Sequence, residues 1–120
     1  MKRENLLIGY RGEAVAKRYL QNKGYRIIEQ NYKNKYAEID LIVRDKKVLV
    51  FIEVRTKIGE KFGTPEDSLN RNKIKKLIRN ATAYTAQKGY AKDYRIDAIC
   101  IVLDEGKKVK RIDHYQNISP

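Results

Sequence analysis

Residues 38–55 read Glu38-Ile39-Asp40-Leu41-Ile42-Val43-Arg44-Asp45-Lys46-Lys47-Val48-Leu49-Val50-Phe51-Ile52-Glu53-Val54-Arg55, and this stretch decides how the chain folds. Two apolar, β-branched runs flank the polar tetrad Arg44-Asp45-Lys46-Lys47, which is the pattern of a β-hairpin. In the first strand, read over Tyr36–Val43, Ala37, Ile39, Leu41 and Val43 share one face, and Glu38, Asp40 and Ile42 share the other. In the second, read over Val48–Arg55, Val48, Val50, Ile52 and Val54 point one way and Leu49, Phe51, Glu53 and Arg55 the other. The near-continuous apolar run of the second strand is that of a strand covered on both faces. An acid and an arginine therefore end a strand that otherwise belongs to a core. An unpaired charge buried there costs several kcal/mol, so a compensating partner is required.

Hairpin register decides whether the acids meet. A two-residue loop pairs Glu38 with Glu53 and Asp40 with Phe51, whereas a four-residue loop pairs Asp40 directly with Glu53. Either even loop places Asp40 and Glu53 on one face, with Cβ atoms about 5–8 Å apart. A three-residue loop separates them unless a bulge restores the parity. Two carboxylates converging at a sheet end repel unless a cation lies between them, and two hard oxygen ligands suit Mg²⁺ or Mn²⁺. The blander alternative is an Asp40–Arg55 or Glu53–Arg55 ion pair on a solvated sheet rim.

Outward from the hairpin, Ile8–Lys23 reads as a helix whose apolar side carries Gly12, Val15, Ala16, Tyr19 and Leu20, with Gly24 as its stop signal. A strand over Tyr25–Tyr32 precedes the hairpin. Lys57–Gly63 reads as a glycine-containing loop. Thr64-Pro65-Glu66 opens a second helix, which runs to about Lys88 with a break near Asn70 and is ended by Gly89. Strands over Tyr94–Leu103 and Val109–Tyr115 complete the order αβββαββ, an α/β (mixed α+β) architecture with helices packed on a central sheet. Glu13 and Lys73 lie at the edges of their helices' apolar stripes, from which both can reach the sheet end; a flank charge that snorkels to water is the commoner arrangement.

Composition narrows the chemistry. At 120 residues the chain reads as one domain spanning 1–120, and its 42% hydrophobic content with 2 Pro excludes disordered and collagen-like classes. The polar N-terminal stretch and the lack of a long apolar run predict a cytoplasmic protein without a membrane partner. Cys100 and His114 stand alone, so an intrachain disulfide, CxxC motifs and two-His metal motifs are excluded, and catalysis would rest mainly on carboxylates, lysines, arginines and tyrosines. Asp97 reads as a local hydrogen-bonding partner of Arg95, Cys100 as a small core residue, and His114 as too isolated for a role. Lys and Arg total 27 against 15 acids, a net charge of +12 that points to a polyanionic partner or, more plainly, to a solubilising surface.

At these residues the chain resembles a family. Gly12-Glu13, Glu38-Ile39-Asp40-Leu41-Ile42 and Phe51-Ile52-Glu53-Val54-Arg55 look like the PD-(D/E)XK nuclease superfamily. More closely they resemble the small bacterial YraN-like family, which is similar in layout to archaeal Holliday junction resolvases. The likeness continues through Phe62-Gly63, Lys73, Ala81, Tyr84 and Arg95-Ile96-Asp97 to Asn117. It implies a restriction-endonuclease-like core, a central mixed sheet flanked by helices, and a Mg²⁺- or Mn²⁺-dependent DNA endonuclease, with branched DNA among its substrates. It also implies metal binding by Asp40 and Glu53, assistance from Glu13, phosphate contacts by Arg55, Lys57 and Lys73, and a homodimer. The chain departs from the superfamily in carrying Arg55 where lysine is usual. Arginine stays protonated and cannot act as a general base, though it can hold a phosphate. A nucleic-acid-binding module with this fold and little activity is the alternative expectation.

Overall fold

The computed structural model describes residues 2–35, 38–90 and 92–119. Helix α1 (Lys2–Asn22) leads into β1 (Arg26–Lys33), β2 (Glu38–Asp45) and β3 (Val48–Ile58); a 3₁₀ turn (Pro65–Ser68) and α2 (Arg71–Lys88) follow, then β4 (Tyr94–Leu103) and β5 (Val109–Tyr115). The order αβββαββ is the expected one. The five strands form a single sheet in chain order, with β3 and β4 parallel and every other neighbouring pair antiparallel. It is the mixed sheet with helices that the sequence predicts.

Two apolar clusters, one on each helix, account for the apolar run at the start of β3, Val48–Ile52. Ala16 and Leu20 of α1 pack with Leu41, Val43, Val50, Ile52, Ile99 and Ile101, while Leu77, Ala81 and Tyr84 of α2 pack with Ile42, Leu49, Phe51 and Ile96. Asn70 caps α2 by accepting a hydrogen bond from the Lys73 backbone N–H at 2.9 Å, so the break expected near Asn70 is the true start of the helix. Gly89, at φ 65°, ends it in the left-handed conformation.

Several boundaries differ from the sequence reading. Helix α1 begins at Lys2 rather than Ile8; residues 2–7 contain good helix formers, but Leu6 and Leu7 are exposed, so no buried stripe announces the extra turns. Strand β3 continues to Ile58, because Thr56, Lys57 and Ile58 pair with Ile101, Val102 and Leu103 of β4. Lys57 is thus a strand residue and not part of a loop. In β2, Ile39 packs with the α2-side cluster instead of sharing the face of Leu41. The slip falls opposite Asn31 of β1, whose φ of 50° rotates the backbone there. Tyr36 and Ala37, read as the start of this strand, lie outside the described residues.

Helix α1 crosses β3 at Gly12. A Cβ on Gly12 would lie 1.8 Å from Oγ1 and 2.7 Å from Cβ of Thr56, so the helix can sit this low only with glycine at the crossing. Gly12→Ala is expected to destabilise the fold by about 1–3 kcal/mol through overpacking. Urea unfolding of the two proteins, read by circular dichroism, checks this, and an unchanged midpoint would refute the close crossing.

Candidate functional site

Asp45 pairs with Val48 across a two-residue turn of Lys46 and Lys47, the former at φ 56°. The register, Leu41 opposite Ile52, carries Asp40 to the position across from Glu53. The parity expected from sequence is present. The direct opposition assigned there to a four-residue loop is instead made by a two-residue turn centred on Lys46-Lys47, because the strands pair right up to Asp45 and Val48. The regular ladder stops at Leu41–Ile52, and beyond it Val54 N–H donates to Oδ2 of Asp40 at 2.8 Å. A side chain has replaced the strand backbone as acceptor, which opens the sheet end.

Glu53 is only 4% exposed. Its Oε2 receives Arg55 Nη2 at 2.8 Å and Lys73 Nζ at 3.0 Å. The Glu53–Arg55 ion pair of the blander reading therefore exists, but on a buried acid and not on a solvated rim. Lys73, at the start of α2, reaches the sheet end from the helix flank. Asp40 lies close enough to Glu53 for the two carboxyls to share a hydrogen bond. Burial first, and the neighbouring Glu53 charge second, push Asp40 up to about 8. Glu13 is also raised from the ordinary carboxylate value, by burial and then by Glu38, against a lowering hydrogen bond from Asn31.

The structure thus brings Glu13, Asp40, Glu53, Arg55 and Lys73 together. Lys57 lines the adjoining groove with Arg55, Glu13 and Val54. Sequence reasoning missed Asn31, which the pairs Gln30–Leu41 and Tyr32–Ile39 place across from Asp40. The available signal was weak: asparagine tolerates positive φ, but nothing in a strand-like run says that it must adopt it. His114, read as isolated, packs between the rings of Tyr19 and Tyr25, with Nε2 2.8 Å from Oδ2 of the fully buried Asp97. Arg95 Nε donates to the same carboxylate at 2.8 Å and the Asn117 backbone N–H at 2.9 Å. Asp97 is therefore a structural hub that ties β5 and the C-terminal segment to β4. Burial pushes the Cys100 thiol up to about 12, as expected of an inert core residue.

Among the described residues no three His, Cys, Asp or Glu side chains form a ready-made metal cage. The donor set is a pair of carboxyls, and that chemistry fits a hard divalent ion which retains several waters. Both cations use Oε2 of Glu53, and Val54 uses Oδ2 of Asp40. Binding a cation there would displace the proton that Asp40 holds.

Residues 12–101 match the family described as "Uncharacterised protein family UPF0102". The chain is 39% identical over 112 residues to a UPF0102 protein of Pelotomaculum thermopropionicum, covering 92% of this chain and 93% of that one. A UPF0102 protein of Herpetosiphon aurantiacus is 41% identical over 117 residues, covering 93% of each, and one of Chlorobium chlorochromatii is 44% identical over 92 residues, covering 77% of this chain and 71% of the relative.

The half-buried Asp40 carboxyl has a pH consequence with a definite sign. Asp40 ionises near 3.8 in the unfolded chain and near 8 in the folded one, so its contribution to stability is greatest below the lower value and is lost as pH rises through the higher. Asp40→Asn keeps an acceptor for Val54 without this penalty. Its melting temperature relative to the parent is expected to rise between pH 5 and pH 9, by roughly 4 °C for each 1 kcal/mol gained. A pH-independent difference in thermal melts would refute the buried protonated state.

Proposed function

We propose that this chain, which belongs to the UPF0102 family, is a divalent-metal-dependent DNA endonuclease whose reaction centre is the sheet-end carboxylate cluster. The observation that carries this reading is the Asp40–Glu53 pair, in which a half-buried acid is held against a buried one. Glu53 is already neutralised by Arg55 and Lys73, so a partner acid held against it at the cost of ionisation is explained best by a ligand that wants both.

Asp40 and Glu53 would hold Mg²⁺ or Mn²⁺, which when bound supplies Lewis acidity toward a phosphoryl oxygen and toward the attacking water. Arg55 is a permanent cation and takes no proton; its guanidinium lines the groove and stabilises charge developing on the phosphate. Its Nε is buried and has no partner among the described residues, so Glu53 does not use all of its donors. Lys73 orients Glu53 through the 3.0 Å ion pair, and Lys57 adds a second cation on the groove wall. Glu13, raised above the ordinary carboxylate value by burial, is placed to relay a proton at the edge of the pair. The net charge of +12 supplies a steering field and binding to DNA that needs no metal. Branched DNA and a homodimer remain part of the reading through the resemblance to junction resolvases.

A second reading has its own observation. Because Arg55 and Lys73 already balance Glu53, the same cluster is compatible with a metal-free nucleic-acid-binding module.

Incubation with junction, flap and linear DNA under Mn²⁺, Mg²⁺ and EDTA separates the two. The nuclease reading expects cleavage with metal only. Glu53→Gln should remove it while leaving salt-dependent DNA binding in EDTA intact. Arg55→Lys should retain much of the rate, and Arg55→Ala should cost about 10²–10³-fold. A Glu53→Gln protein that cleaves like its parent assigns any activity elsewhere and leaves the binding module.

A further inference from the structure

Beside the carboxylate cluster lies a groove of about 590 Å³, bounded by α1 at Ile8 and Gly9, by Arg55 and Lys57 of β3, and by the turn that carries Phe62. The reaction proposed above needs only the acids and cations of the neighbouring cluster. It does not account for Phe62, which is 89% exposed, the highest value among the large hydrophobic residues described.

This exposure is built and not incidental to a loose loop. Gly59 N–H donates to the Leu103 carbonyl at 2.9 Å and Gly63 N–H to the Glu60 carbonyl at 3.3 Å. Gly59 and Gly63, at φ 65° and 119°, turn the chain sharply on either side of the aromatic. Glu60 is held by Arg111 Nε at 3.2 Å, and Arg111 also grips Glu66 at 2.7 Å, tying the turn to β5 from both ends. At the turn's exit, Asp67 accepts from Thr64 N–H at 2.9 Å. Lys61 places Nζ 5.6 Å from the centroid of the Phe62 ring. A braced turn therefore presents an aromatic face together with cations at the mouth of a basic groove. A flat π-system joined to an anion is the ligand that satisfies both features.

We propose that Phe62 is a base-stacking platform that receives an unpaired nucleobase next to the phosphate held by Arg55, so that the site selects DNA with unstacked nucleotides over regular duplex. This rests on DNA being the ligand of the carboxylate site, but not on cleavage. In an intact duplex both faces of each base are already stacked, and offering one to Phe62 requires opening the helix. In a single strand, flap or junction an unpaired base is available without that cost.

The test is binding without catalysis. Fluorescence anisotropy in EDTA, at one fixed salt concentration, measures parent, Phe62→Ala and Phe62→Trp proteins against a labelled single-stranded oligonucleotide and its matched duplex. Phe62→Ala should weaken single-strand binding about 10-fold and Phe62→Trp should restore it, since stacking tolerates any aromatic. Duplex affinity should stay within about twofold, because it depends on the unchanged basic surface. Because the ring is exposed, melting temperatures should match across the three proteins. Equal loss on both DNAs, or no loss on either while the parent binds, overturns the platform and leaves the nuclease reading intact. A parent that binds neither DNA overturns both proposals. A dimer seen by sedimentation in the parent and lost in Phe62→Ala overturns the platform in favour of a second copy of the chain on this face. Phe62-dependent binding by a parent that cleaves nothing removes the nuclease reading alone.

Discussion

One juxtaposition organises the molecule: two carboxyls, Asp40 and Glu53, forced together at the end of a hairpin whose other residues make the core. The apolar runs of β2 and β3 set the register, and the register leaves the two acids no room to separate. Around them the protein arranges the means of tolerating the charge. Arg55 comes from the same strand and Lys73 from α2, while Val54 offers its backbone N–H. Breaking such a buried cluster one partner at a time is costly, because each removal leaves an uncompensated charge. The position of α2 is in this sense part of the site, since its first turn delivers Lys73.

A second polar hub lies away from this cluster and does a different job. Asp97 is fully buried but satisfied from Arg95, His114 and the Asn117 backbone, and those bonds hold it below the usual carboxylate range despite burial. Arg95 extends the network to Asp45 and Tyr25. The buried Asp97 and the half-buried Asp40 differ in their surroundings. Asp97 is surrounded by donors and is structural, whereas Asp40 accepts from the Val54 N–H and faces a second acid, which is an arrangement suited to a ligand.

The sequence made the strand order, the helices and the parity of Asp40 and Glu53 legible, because periods of two and 3.6 residues report which side chains a core must cover. Strands β4 and β5 have the boundaries that the pattern indicates. Legibility failed where the pattern carries no burial signal. The first turns of α1 are helical without a core beneath them, and the end of β3 is a strand because β4 pairs with it, though Lys57 looks like loop. Asn31 was invisible for a related reason: asparagine tolerates positive φ, but nothing in a strand-like run says that it adopts it.

Composition, alternation and the two acid positions belong to the sequence itself, because they follow from local geometry that any chain of this pattern shares. A single cysteine, a single histidine and a charge of +12 likewise restrict the chemistry before any folding is considered. Tertiary structure alone decided that Asp40 is held against Glu53 and raised by burial, that Lys73 closes on Glu53 and not on solvent, and that Phe62 stands on a braced turn over the groove. Each of these depends on distances between elements far apart in the chain, and on the local dielectric that burial creates, and neither quantity is written in the order of the residues.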